Sequence, residues 1–342
     1  MDPQFLLFSA IKVVGVFAVL MFIVAYAVWV ERKVSAAIQD RRGPNRVGPF
    51  GLLQPIADMI KAFLKEDFTP AHVRKVYYWL APAIVMIPSL LTVAIIPFGS
   101  NLNGQRMVIA DLNVGILYSF GIVSLSVYGI VLAGYAANSK YPFLGGIRSS
   151  AQMISYELTM GMSVVPIFLI VGDLNLSQVI QHQTGGWFHW LIFKQPLSFL
   201  MFVVATLAET NRVPFDLPES EQELAGGYNV EYSSMKFALF FLGEYAAVTV
   251  GSAMMVTLFL GGWTLPFAGL DRPATTFGMG VLHIFIFLAK MLAVEFTIIW
   301  VRWMWPRFRY DQLMDLGWRR FIPLALLNIL ATAVVLWLRD GK

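Results

Sequence analysis

Cysteine is absent from this chain of 342 residues, and charge is scarce: Asp, Glu, Lys and Arg make up only 13% of it. Without thiols no disulfide forms, and no thiolate holds an iron–sulfur cluster or a structural zinc. Histidine is almost missing as well. Of His72, His182, His189 and His283, only His283 lies deep in an apolar run, so paired axial ligands from two membrane helices are not available to a haem. No basic residue precedes the first apolar run, and Glu31-Arg32-Lys33 stands where a small-residue cleavage site would follow, so no cleavable signal is expected. Internal repeats and low-complexity tracts are lacking too, so neither a solenoid nor a duplicated transporter half is supported.

What the chain has in abundance is apolar surface. Hydrophobic residues make up 58% of it, and mean hydropathy is +0.67. A soluble chain averages about 45–50% apolar and about 25% charged, so a water-soluble enzyme is excluded. A bilayer span needs about 20 mostly apolar residues. Eight such segments can be read, near 5–30, 79–98, 112–136, 153–171, 189–208, 237–261, 279–301 and 320–338. The fold class is therefore an all-α polytopic membrane protein, a single membrane domain over 1–342 with about eight transmembrane helices. The fifth segment is the weakest, because Lys194, Gln195 and Pro196 interrupt its start.

Eighteen of the 25 basic residues fall in loops one, three, five and seven. By the positive-inside bias those odd loops face the cytoplasm and both termini face the opposite side. Loop one, about 31–78, is the longest. Its Leu52, Ile56, Met59, Ile60 and Phe63 recur at helical spacing, with Gln54, Asp58, Lys61 and Lys65 on the opposite face. That pattern predicts an amphipathic helix on the cytoplasmic membrane surface, either a plain interfacial anchor or the roof of a cavity open to an amphipathic ligand.

Ionisable groups inside a bilayer cost about 2.5–3.5 kcal/mol at a helix centre on insertion scales, so each needs a reason. Glu157 sits one turn into the fourth span, Glu209 ends the fifth, Glu244 lies in the sixth and Glu295 in the seventh. At about 1.5 Å per helical residue, Glu244 is about 12 Å inward of Lys236, and Glu295 about 10 Å inward of Arg302. All these acids fall in the cytoplasmic half, the arrangement of a half-channel. Loop five adds Asp216, Glu219, Glu221, Glu223 and Glu231 against Arg212. A bland reading has Asp216 capping a short helix with Pro218 and Glu219 in its first turn. It leaves Glu221, Glu223 and Glu231 unexplained, and clustered carboxylates suit proton relay. Asp311 and Asp315 lack a second facing motif for a diphosphate-bound Mg²⁺ and read as a helix-surface pair near Arg307 and Arg309. His283 reads as a packed histidine.

Several strings go further. They are QDRRGPNRVGPFGLLQPIADMIKAFLKED from Gln39 to Asp67, NSKYPFLGGIRSSAQMISYE ending at Glu157, AETNRVPFDLPESEQELAGGYNVEYSSMKFALFFLGEY from Ala208 to Tyr245, and PRFRYDQLM from Pro306. Together they closely resemble the heel membrane subunit of proton-pumping NADH:quinone oxidoreductase, respiratory complex I (the H-type subunit of bacteria and its mitochondrial counterpart), from about residue 10 onward. Arg302-Trp303-Met304-Trp305 departs from the small residues usual in the family at that point.

The resemblance implies a translocase subunit that is not catalytic alone. It implies that Arg32, Arg41, Asp58, Arg212 and Phe215 surround a quinone passage. Glu157, Glu209, Glu219, Glu221, Glu223, Glu231 and Glu244 match the family's acidic funnel, thought to couple quinone chemistry to proton movement in neighbouring subunits. Bound ubiquinone or menaquinone is expected, with no metal, haem or flavin on this chain. The expected partners are a peripheral iron–sulfur arm, small membrane subunits, antiporter-like subunits and lipid, but no nucleic acid, in a bacterial inner membrane with periplasmic termini. The alternatives are the equivalent subunit of a sister complex (membrane-bound hydrogenase or plastid type) and a stand-alone ion transporter.

Overall fold

In the computed structural model, residues 3–102, 104–217, 226–267 and 269–340 are described. The first element, α1 (Pro3–Ile38), runs 36 residues without a break. After a short turn at Pro49–Gly51 comes α2 (Gln54–Leu64), and then α3 (Lys75–Thr92). Two two-residue strands, β1 (Asn101–Leu102) and β2 (Gln105–Arg106), pair antiparallel with Asn101 opposite Arg106. The helices α4 (Gly115–Val123) and α5 (Leu125–Ala136) form one nearly continuous rod. Next come α6 (Lys140–Val171), α7 (Leu176–His182), α8 (Leu191–Lys194) and α9 (Pro196–Glu209). The chain continues through α10 (Ser234–Phe259), α11 (Phe277–Met304) and α12 (Tyr310–Asp315). A π-helical stretch, Leu316–Phe321, leads into α13 (Ile322–Asp340).

Seven helical segments among the described residues are long and apolar enough to cross a membrane. The expected fifth span differs from the other seven: α9 has 14 residues, or about 21 Å. Pro196 is the reason. It has no amide N–H and disfavours helical geometry at the residue before it, so Gln195 (φ −134, ψ 60) breaks the rod between α8 and α9. The break is anchored: the Gln195 amide donates to Thr332 Oγ1 at 2.9 Å, and Asn328 Nδ2 donates to its oxygen at 3.2 Å.

Two helices begin or end well outside the apolar runs. The first, α1, carries Glu31 and Arg32 on its last turns, where the sequence suggests the start of loop one. In α6 the helix starts at Lys140, so Glu157 sits deep in it and not one turn from its end. The cause is a polar stripe that hydropathy undercounts. Ser149, Gln152, Ser155, Thr159 and Ser163 are all buried. Gln152 Nε2 donates to the carbonyls of Ala208 (2.7 Å) and Phe215 (2.8 Å), which ties the loop after α9 to α6. Small residues bring α5 and α6 together: a Cβ on Gly134 would meet the Pro142 carbonyl oxygen at 2.5 Å.

At the opposite, even-loop end, Asp111 accepts from Asn175 Nδ2 (2.9 Å), Ser177 Oγ (3.1 Å) and Arg106 Nη1 (2.5 Å). Burial works against its charge, yet these bonds and the Arg106 guanidinium hold its pKa below the ordinary carboxylate value. Ser100 Oγ accepts from the Ala274 N–H and lies 2.7 Å from His283 Nδ1, whose ring packs on Trp263, as a packed histidine should.

Candidate functional site

On a helix, consecutive residues point about 100° apart, so Glu31 and Arg32 cannot share a face of α1. Glu31 turns into the bundle and is 5% exposed, whereas Arg32 turns out toward α2. This divergence organises the site.

Inside, Glu31 holds two guanidinium groups. Arg212 Nη1 donates to Oε2 at 2.9 Å and Arg302 Nη1 to Oε1 at 2.5 Å, while the Tyr245 hydroxyl adds a 2.8 Å bond to Oε2. Arg212 also pairs with Glu244 (Nε to Oε1, 2.5 Å) and lies over the Tyr245 ring, 4.0 Å from its centroid. Two carboxylates and two guanidinium groups thus form one balanced quartet drawn from α1, the loop after α9, α10 and α11. Balance is what makes such burial tolerable, because an unpaired ion there would forfeit its hydration without return. Burial opposes the charge on Arg212, but Glu244, Tyr245 and Glu31 raise its pKa above the ordinary arginine value, so it is a fixed cation.

Outside, Arg32 Nη1 donates to Asp58 Oδ2 at 2.6 Å, and Gln54 Nε2 donates to the other oxygen at 3.0 Å. The expected amphipathic helix is α2, and the apolar residues Ile56, Met59, Ile60 and Phe63 are all exposed.

Glu244 has a second outlook. With Glu209 it lines a cavity of about 80 Å³ that also meets Thr206, Thr210, Asn211 and Tyr228, with room for several waters. Glu157 does not line this cavity but lies close enough to Glu209 for the two charges to interact.

The remaining sequence-derived residues disperse. Arg41 is exposed, and its side-chain Nε donates to Gln39 Oε1 at 2.6 Å. Phe215 is buried in an aromatic stack, 5.6 Å from Tyr156 and 5.5 Å from Phe308 between ring centroids. Glu231 sits apart, 3.6 Å from His72 Nε2, with its carbonyl accepting from the Tyr78 hydroxyl at 2.8 Å. Glu219, Glu221 and Glu223 lie outside the described residues, as does Pro218. Asp216 accepts from Arg307 Nη2 at 2.8 Å, which fastens loop seven to loop five. Asp311 and Asp315 are surface partners of Arg309 (3.3 Å) and Arg319 (3.0 Å). The site also recruits Glu31, Arg302 and Tyr245, which residue-by-residue reading passes over. The one signal for Glu31 is an acid directly before Arg32 at the end of an apolar run.

Fold and site together define a class: a multi-pass α-helical membrane protein with ion-paired carboxylates buried between its helices. A family profile described as NADH dehydrogenase matches residues 11–333. The chain is 45% identical over 342 residues to the NADH-quinone oxidoreductase H-type subunit 1 of Cytophaga hutchinsonii, covering 98% of both. It is 49% identical over 333 residues to the H-type subunit 1 of Geobacter metallireducens (96% of both). It is 50% identical over 334 residues to the H-type subunit of Rickettsia typhi, covering 97% of this chain and 94% of that one. The chain belongs to the NADH dehydrogenase family, among its NADH-quinone oxidoreductase H-type subunits.

Proposed function

We propose that this chain forms the membrane side of a quinone chamber in a proton-translocating NADH:quinone oxidoreductase, and that its buried carboxylates begin the proton path from that chamber. The observation that carries this reading is the adjacency of Glu31 and Arg32 on one turn of α1. Arg32 ties that turn to Asp58 on α2, and Glu31 ties the same turn to Arg212 and Arg302. Charge appearing on a quinone near Arg32 and Asp58 would pull on a helix turn that also holds the interior quartet. Glu244 then answers toward the cavity it shares with Glu209.

In this reading Arg32, Asp58 and Arg41 face the quinone entrance, and Arg212 and Phe215 form its inner wall. Glu157, Glu209 and Glu244 form the start of the relay, with Glu231, Glu219, Glu221 and Glu223 on its loop-five side. Electrons arrive from a peripheral iron–sulfur arm docked on the odd-loop face, and protons leave through small and antiporter-like membrane subunits. The odd loops are cytoplasmic and the complex lies in a bacterial inner membrane.

An azido-quinone photolabel on membranes holding the intact complex tests this. Label between Arg32 and Asp67, or between Glu209 and Glu231, competed away by excess quinone, supports the chamber. No label there in an assembled, active complex overturns it. Replacing Glu244 with Gln should lower quinone reduction while the complex stays assembled; full turnover and pumping would remove Glu244 from the relay.

A further inference from the structure

The quartet has a fifth neighbour that its charge balance does not require. Glu295, on α11, is 3% exposed. It lines a second, smaller cavity of about 10 Å³ together with Glu31, Arg212, Tyr245 and Arg302. That is room for a single water. Thr249 Oγ1, on α10, lies 3.2 Å from Glu295 Oε1. Of the lining residues' buried polar atoms without a hydrogen bond among the described residues, Arg212 Nε faces Glu244 in the ion pair already described, which leaves Glu295 Oε2 and Arg212 Nη2. A water between them would satisfy both, since a carboxyl oxygen can accept from it or donate to it, and a guanidinium N–H donates.

The Thr249 bond says more. A hydroxyl has one proton to give. Thr249 Oγ1 lies 2.9 Å from the Tyr245 carbonyl oxygen as well as 3.2 Å from Glu295. When its proton serves the carbonyl, the contact with Glu295 is a hydrogen bond only if Glu295 supplies the proton. The facing groups on every packed element are Glu31 (α1), Arg212 (the loop after α9), Glu244 and Tyr245 (α10), and Arg302 (α11). Their charges already cancel.

We infer that Glu295 is a proton-holding site exchanging with the Glu31–Arg212–Glu244–Arg302 quartet through one buried water. Its proton complements the quartet. While both quartet carboxylates are ionised the cluster is neutral, and Glu295 keeps its proton. If the Glu295 proton passes through the water to Glu31, the quartet gains one positive charge as Glu295 gains one negative charge, and the cluster as a whole stays neutral. The proton that leaves Glu295 is the one that enters the quartet, so no net charge is created. This gives the relay a branch between α10 and α11, separate from the cavity shared by Glu209 and Glu244. The inference rests on the proton-relay reading above.

The test is redox-induced infrared difference spectroscopy on the assembled complex, with Glu295→Gln and Glu244→Gln compared in parallel. Gln keeps the size and the contact with Thr249 but exchanges no proton. Loss in Glu295→Gln of a carboxyl C=O band present in the parent complex, together with reduced proton pumping, is the expected result. Thr249→Val should shift that band without removing it, a response that a purely packing role would not produce. An unchanged spectrum and unchanged pumping in Glu295→Gln, beside impaired pumping in Glu244→Gln, overturns the role of Glu295 and leaves the relay standing. Unimpaired pumping in both variants overturns the relay reading itself.

Discussion

The two ends of this helix bundle deal with buried charge in different ways. At the odd-loop end, charge answers charge: Arg212 and Arg302 are met by Glu31 and Glu244. Toward the even-loop end, Lys290 is met by no carboxylate within ion-pair distance among the described residues. Its ammonium donates to three backbone carbonyls, Leu260 (2.7 Å), Gly262 (3.0 Å) and Thr264 (2.6 Å), and lies 4.4 Å from the Trp190 ring centroid. These carbonyls are the ones that the C-terminus of α10 and the turn after it leave without helical partners. The lysine is a cap. A carbonyl cage has nowhere to pass a proton, because an amide oxygen is an acceptor alone. A quartet of side-chain ions is held instead by paired opposite charges, Glu31 and Glu244 against Arg212 and Arg302. The same composition, poor in charge, thus yields a backbone-capped end and an ion-paired end.

The comparison can be broken most directly at Arg212. Replacement by Ala strips the cation shared by Glu31 and Glu244 and leaves two buried carboxylates facing each other. Removing one partner of a buried pair costs about 3–5 kcal/mol, so thermal stability of the solubilised complex and its turnover should both fall sharply. A variant of normal stability would show that the quartet is not the organising contact of that end.

Lys290→Met should cost less and act elsewhere. It orphans buried carbonyls at about 1–3 kcal/mol. Hydrogen exchange should therefore quicken in the turn 260–264, while quinone reduction by the assembled complex stays near the parent rate. Loss of pumping with an unaltered turn would mean that Lys290 takes part in proton movement and is more than a cap.

The smallest effect is expected at Asp111. Its pKa is depressed in the folded chain, so its contribution is fully present above the ordinary carboxylate pKa and is lost as pH falls through the depressed value. Asp111→Asn should lower stability slightly at neutral pH and flatten the acid limb of the melting profile. An unchanged acid limb would show that another group dominates it.

The all-α architecture was legible because runs of apolar residues leave little choice in a bilayer, where backbone groups must be satisfied within the segment. The break at Gln195 and Pro196 was legible too, since proline acts locally. The early start of α6 was not. Gln152 and Ser155 look like loop residues until Ala208, Phe215 and Trp318 supply their partners. Acid placement pointed to Glu209 and Glu244, which share a cavity, but equally to Glu231, which is held apart beside His72.

The sequence alone determined the membrane class, the number of long apolar segments to within the short α9, the family, and which acids stand in apolar surroundings. Each of these depends on residues near one another in the chain, where hydropathy and motif are read directly. Only the tertiary structure decided which charges meet. Glu31 is 181 residues from Arg212 and 271 from Arg302, and whether it is a loop acid or the centre of a buried quartet depends on how four segments pack. The reason is physical. Burial sets whether an ion must be paired, and pairing in the interior is settled by distance in space, which no spacing along the chain encodes.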